Sequence, residues 1–123
     1  MKKSKGFTLA ELLIVVAIIA VLVAIAIPVF ASQLEKSREA TDMANIRAAY
    51  AEVVTKFLAD NDTSASAAVT AQQKVDGWET DTNHDLYTRV DGTERKVTVS
   101  NWASGNNFNV SIDASGIVHV DLT

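Results

Sequence analysis

One acidic residue stands alone in the most apolar stretch of this chain. From Phe7 to Ala31 the sequence reads FTLAELLIVVAIIAVLVAIAIPVFA, 25 residues in which Glu11 is the only charged side chain. An acidic group at the centre of a membrane helix costs roughly 2.5 to 3.5 kcal/mol, and such groups are retained for pairing or function. Gly6 and Phe7 stand just before it. Glycine presents no side chain, so another molecule can approach the backbone closely there. A lone carboxylate in an apolar setting calls for a cationic partner, so the chemistry these residues imply is charge pairing.

Chemistry-bearing groups are sparse in the rest of the chain. Asp81, Asn83 and Asp85 lie in the run D-T-N-H-D, which opens like an oxygen-ligand calcium loop. The sixth position of that loop is Leu86 where glycine is needed, and the twelfth is Gly92 where a bidentate glutamate is needed. A solvated acidic loop is therefore the expected state, with calcium as the weaker candidate. His84 and His119 have no partner at metal-ligand spacing and read as ordinary surface or edge-strand residues. Trp78 and Trp102 read as packing residues of the core or of a subunit contact. With no nucleophile and base at workable spacing and no phosphate-binding glycine loop, neither an enzyme nor a cofactor is expected. Cysteine is absent from the sequence, which removes disulfides and thiol chemistry.

The stretch KGFTLAELL, preceded by Lys2 and Lys3 and followed by the long apolar run with Pro28, resembles the N-terminus of type IV prepilins. It is equally similar to that of the related pseudopilins of type II secretion and competence systems. The resemblance covers residues 1 to about 32. It implies that a prepilin peptidase cuts after Gly6 and methylates the new amine on Phe7. It further implies that Phe7 and Glu11 serve subunit assembly, the amine of one subunit meeting the carboxylate of its neighbour in a homo-oligomeric helical filament. Methylation leaves the amine positive, so the pairing survives it. The function implied is a structural pilin used for adhesion, motility or DNA uptake and built on an assembly platform in the membrane. A pseudopilin is the alternative, and a membrane-anchored binding module that never polymerises is the less favoured one. Many pilins of Gram-negative bacteria close a C-terminal loop with a disulfide, and this chain departs from that pattern.

Two other readings of the N-terminus compete. A secretory signal peptide wants an apolar region of about 7 to 15 residues and a small-x-small site, which Ala24-Ile25-Ala26 supplies. It leaves Glu11 unexplained, and Leu12 to Ile27 alone is 16 uninterrupted apolar residues. A plain anchor shares the topology of a prepilin, since 25 helical residues reach about 37 Å, enough to cross a bilayer core. Lys2, Lys3 and Lys5 hold the leader on the cytoplasmic side and place the C-terminal part outside. The expected location is thus the cytoplasmic membrane as a single-pass precursor in contact with lipid, and later a cell-surface filament. Loss of the leader lysines leaves 8 basic residues against 15 acidic ones, a net charge of −7. Such a balance disfavours broad nucleic-acid binding, which depends on neutralising phosphates.

The elements that must carry these groups follow from the hydropathy pattern. Residues 1–6 form the removable leader, 7–31 the membrane or filament-core helix, 32–60 the amphipathic half of the same helix, and 61–123 a head. Pro28 removes a hydrogen bond and crowds the carbonyl of Ala24, so a kink is expected there. Met43, Ile46, Tyr50, Val53, Val54, Phe57 and Leu58 form an apolar stripe, with Asp42, Arg47, Glu52 and Lys56 assigned to the other face. Residues 60–64, DNDTS, stop the helix. Residues 64–75 read as a short helix capped by Ser64 or as a loop. Alternation at 96–100, 108–113 and 117–122 predicts strands, with an earlier one at Leu86 to Val90 joined through Asp91-Gly92. Ser104 to Asn107 and Ala114 to Gly116 supply turns. The fold class is α+β: a long helix packed on a three- to four-stranded antiparallel meander.

Overall fold

A computed structural model describes residues 6–79 and 84–123. Its first element is helix α1, Leu9–Asp60, which runs through Pro28 without interruption. Five strands follow, β1 (Ser66–Val69), β2 (Asp85–Thr88), β3 (Arg95–Thr98), β4 (Phe108–Ile112) and β5 (Val118–Leu122). The chain divides into two compact units, residues 1–33 and 34–123.

In the first unit every described residue up to Ala31 is exposed, including the whole apolar run. The second unit is the head. Its part of α1 buries Met43, Ile46, Ala49 and Val53 against the strands, a three- and four-residue spacing that keeps one helix face inward. The helix ends at Asp60 because Asn61 takes a left-handed backbone (φ 54°), which asparagine tolerates better than most residues. The amide of Asp62 then donates to the Lys56 carbonyl at 3.4 Å.

Antiparallel pairing orders one sheet as β1-β4-β5 and a separate two-stranded sheet as β2-β3. Along β4, Phe108, Val110 and Ile112 point inward and alternate with partly exposed residues, and Val118 and Val120 do the same on β5. Val110 sits opposite Val120 and Ile112 opposite Val118, so both strands present one apolar face. The turn between them is built on Asp113. Its carboxylate accepts the amides of Ser115 (2.9 Å) and Ile117 (3.0 Å), while Gly116 adopts φ 79°. Asp91 plays the equivalent part between β2 and β3, accepting two hydrogen bonds of 2.8 Å from the Arg95 guanidinium. That pairing, with the Thr93 amide, brings the Asp91 pKa down to about 2.

The α+β class holds, and four details differ from the sequence reading. Residues 66–69 form an edge strand in place of the short helix or loop. Ala67 pairs with Val110 and Val69 with Phe108, and this ladder with the burial of Val69 outweighs the helix preference of alanine. The strands form two sheets in place of one meander: β3 ladders with β2 and lies beside β5 without pairing to it. Leu58, assigned to the apolar stripe, is 64% exposed. Asp42, assigned to the outer face, is fully buried.

Gln73 is also buried, and neither polar atom of its side chain has a partner among the described residues. Leaving such groups unmade costs about 1 to 3 kcal/mol. Gln73→Met is near-isosteric and keeps the backbone amide, so it is expected to raise the stability of the head by about 1 kcal/mol. Thermal unfolding of the full chain in detergent, followed by tryptophan fluorescence, checks this; a lower melting point would show that the amide has a partner.

Candidate processing and assembly site

At the start of the first unit, Gly6 and Phe7 precede the helix in irregular backbone. A Cβ placed on Gly6 would meet nothing within 4 Å among the described residues. Phe7 is 81% exposed. Thr8 is the residue before α1, and its carbonyl accepts the Leu12 amide at 3.2 Å. Its hydroxyl accepts the Glu11 amide at 3.2 Å, while a Glu11 carboxylate oxygen accepts the Thr8 amide at 2.8 Å. These reciprocal bonds form a capping box, with Thr8 as N-cap and Glu11 at the third helical position. The sequence reading singled out Glu11 and named Thr8 only as part of the KGFTLAELL stretch, with no role of its own. The signal was T-x-x-E immediately before an apolar run.

From Leu9 onward the helix shows apolar side chains on all sides: Leu12, Leu13, Ile14, Val16, Ile19 and Leu22 are each about half exposed or more. Its most apolar window has a mean hydropathy of 3.4, and the helix is long and apolar enough to cross a membrane. A surface apolar in every direction has no favourable place in water and fits either lipid or a bundle of like helices.

The head brings together a second group that the sequence reading did not recognise. Glu35, Glu39 and Asp42 are buried on the helix face that carries Ile46 and Val53 farther along. Asp42 accepts the amides of Gln72 (2.7 Å) and Gln73 (3.2 Å), and Glu35 accepts those of Lys74 (2.8 Å) and Val75 (2.9 Å). Glu39 accepts the Glu79 amide. The three carboxylates thus fasten the segment 72–79, which has no ladder of its own, to the helix. Asp42 has its pKa raised, because burial penalises its charge and Glu35 and Glu39 repel it, against the pull of the two amides. Glu35 is also penalised by burial, but the amides of Val75 and Lys74 and the nearby Arg38 guanidinium outweigh that and hold its pKa below the usual range. Spacing offered a clue: positions 35, 39, 42, 46, 49 and 53 form one continuous seam, acidic at one end and apolar at the other.

Asp81 and Asn83 of the calcium-loop candidate lie outside the described residues. Asp85 is described, and its carboxylate meets Lys96 Nζ at 2.9 Å; this bond is the first cause of its lowered pKa. Among the described residues no three His, Cys, Asp or Glu groups converge to hold a metal ion. His84 stacks on Trp78 with ring centroids 3.8 Å apart, and His119 Nε2 lies 3.1 Å from Asp113 Oδ2. Trp102 is buried and donates its indole N–H to the Asn106 carbonyl at 2.8 Å.

Residues 1–27 match the family model described as the prokaryotic N-terminal methylation motif. The chain carries the type IV prepilin and pseudopilin signature. No solved structure matches it. A prepilin-type start and a long apolar helix, with small antiparallel sheets in the head, make up a pilin-like α+β layout. The signature covers the segment that holds Gly6, Phe7, Thr8 and Glu11. It implies processing by a prepilin peptidase and assembly into pilus-like filaments.

Proposed function

We propose that this prepilin-class chain is the structural subunit of a type IV pilus filament, cut after Gly6, methylated on Phe7 and assembled through its apolar helix. One observation carries the reading: the only charged side chain of the exposed apolar part of α1, residues 9–31, is a carboxylate held one turn from the Gly6-Phe7 bond. An unpaired charge in lipid is costly, whereas the Phe7 amine of a neighbouring subunit would neutralise it and set the register of packing. The leader lysines place the head outside the cytoplasmic membrane before assembly. A bend at Pro28 would let the outer end of the helix adjust as subunits pack.

The deciding experiment is intact mass and N-terminal sequencing of protein sheared from cells. A chain beginning at Phe7 with one added methyl group, recovered from fibres, is the expected result. A chain beginning at Met1, or found only in membranes, would overturn the proposal, and fibres too short to leave the envelope would turn it toward a pseudopilin. Glu11→Ala is expected to be cleaved normally yet give at least about ten-fold less fibre, the equivalent of losing one charged pair in an apolar setting. Wild-type fibre yield from that variant would favour the non-polymerising anchor.

A further inference from the structure

We propose that neighbouring subunits also join through their heads by strand pairing, the free edge of β1 in one copy meeting that of β2 in the next; the inference rests on the filament reading above. The hydrogen bond from the Ile112 amide to the Ala65 carbonyl fixes which groups of β1 are already used. Residues 65, 67 and 69 bond to β4, so the amides and carbonyls of Ser66 and Ala68 point away from it. Both residues are exposed. The strand reads SAAV and carries no charge and no proline, the usual means of keeping another strand off an edge. The edge on the opposite side, beyond β5 and β3, is β2. There the Val99 amide donates to the His84 carbonyl, and the amides and carbonyls of Asp85 and Tyr87 point away from β3. Asp85 is buried, whereas Tyr87 is 56% exposed, so this edge is open at Tyr87.

The two edges match in direction. β1 begins where β4 ends, and β5 begins at the same end, since the Asp113 amide donates to the Ile117 carbonyl. A Cβ on Gly116 would lie 3.7 Å from the Val90 side chain, so β2 finishes at that end too. A copy set beside the first in the same orientation therefore brings its β2 antiparallel to β1. The pleat matches as well: Ser66 and Tyr87 show their side chains to solvent, while Val69 and Leu86 turn theirs to the core. Placing Ser66 opposite Tyr87 sets Arg89, whose side chain is exposed beside Glu94, against the turn that opens β1 and holds Asp62, with Asp60 just before it. A guanidinium of one copy thus meets two carboxylates of the other. Pairing β1 with β1 of a second copy would need a twofold axis that reverses the head's part of α1, which lies along the strands from Met43 to Val53. Subunits anchored in one membrane share an orientation, so that arrangement is closed to them. The unlike pair is head-to-tail and repeats without closing, as a helical filament requires. Strands of four residues are too short to hold two heads together alone. Packing of the apolar helices brings the heads within reach and makes the pairing effectively intramolecular.

The chain has no cysteine, so cross-linking reads the contact directly. Opposed residues of a hydrogen-bonded antiparallel pair lie about 5.5 Å apart at Cα, within disulfide range. Sheared fibres of the Ser66→Cys, Tyr87→Cys double variant, mildly oxidised, are expected to run as a ladder of dimers, trimers and higher multimers on non-reducing gels, and fibres of each single variant as monomer. Ala68→Lys puts a charge on the β1 edge at an exposed position. It is expected to be cleaved after Gly6, to leave the melting point of the head unchanged, and to give about ten-fold less sheared fibre, the equivalent of roughly one backbone hydrogen bond. The proposal is overturned if double-variant fibres stay monomeric on oxidation, if either single variant cross-links to itself, or if Ala68→Lys gives wild-type fibre yield. The filament reading fails in a separate way, with wild-type chains that leave no fibres at all.

Discussion

Gly6→Leu is expected to leave the chain uncut, with the full leader still attached and the protein retained in the membrane fraction. The residue has open space around its Cβ position, so leucine would not disturb the fold. What it would disturb is the approach of the peptidase to an extended backbone with no side chain before the scissile bond. A displacement of about 1 Å between a catalytic group and its target can cost about a hundred-fold in rate, and a leucine side chain exceeds that. Mature chain starting at Phe7 should therefore fall by about a hundred-fold or more in intact-mass measurements. Cleavage at the same bond with normal yield would sink the prepilin reading of this N-terminus.

The second large effect lies in the head. Glu35→Ala is expected to cost about 3 to 5 kcal/mol at neutral pH, because hydrogen bonds to a charged group contribute about 1.5 to 3 kcal/mol each and Glu35 accepts two from backbone amides. For a unit of this size that corresponds to a fall of roughly 15 °C or more in melting temperature. The pH dependence has a definite sign. The folded-state pKa of Glu35 lies below its ordinary value of 4.5, so its contribution is complete above that pH and is lost as pH falls through the folded value. Wild type and variant should thus differ most at neutral pH and converge in acid. Asp42 works in the opposite direction: its raised pKa means that the folded head takes up a proton there before the unfolded chain does. Melting curves of the full chain in detergent between pH 7 and pH 3 would check this; a constant difference across that range would show that Glu35 is not the ionised anchor of residues 74 and 75.

The Glu35 prediction, like that for Glu11, rests on a buried or apolar setting in which a single carboxylate has a defined partner. They differ in where the partner comes from. Glu35 finds its amides about forty residues along its own chain. In the filament reading Glu11 finds one partner three residues back, in Thr8, and the other in a second subunit.

What the sequence determined by itself is local. The Gly6-Phe7 bond, the lone Glu11, the length of the apolar helix, its stop at Asp60 and the turns at Gly92, Gly105 and Gly116 depend on neighbours within a few residues, and each was legible. Residues 108–112 and 118–122 were legible as strands for the same reason, since alternation is written along the strand itself. Tertiary structure decided the rest. Ser66–Val69 is a strand only because β4 offers it a ladder and a buried place for Val69. The partition into two sheets depends on which strand edges meet in the folded head. Asp42 read as an outer-face residue, and Glu35 and Glu39 drew no reading, because a carboxylate is ordinarily exposed and only the amides of a distant loop make burial tolerable. Pairing between residues far apart in the chain leaves no periodic trace in either segment, so the acidic anchor of the head became visible only with the fold.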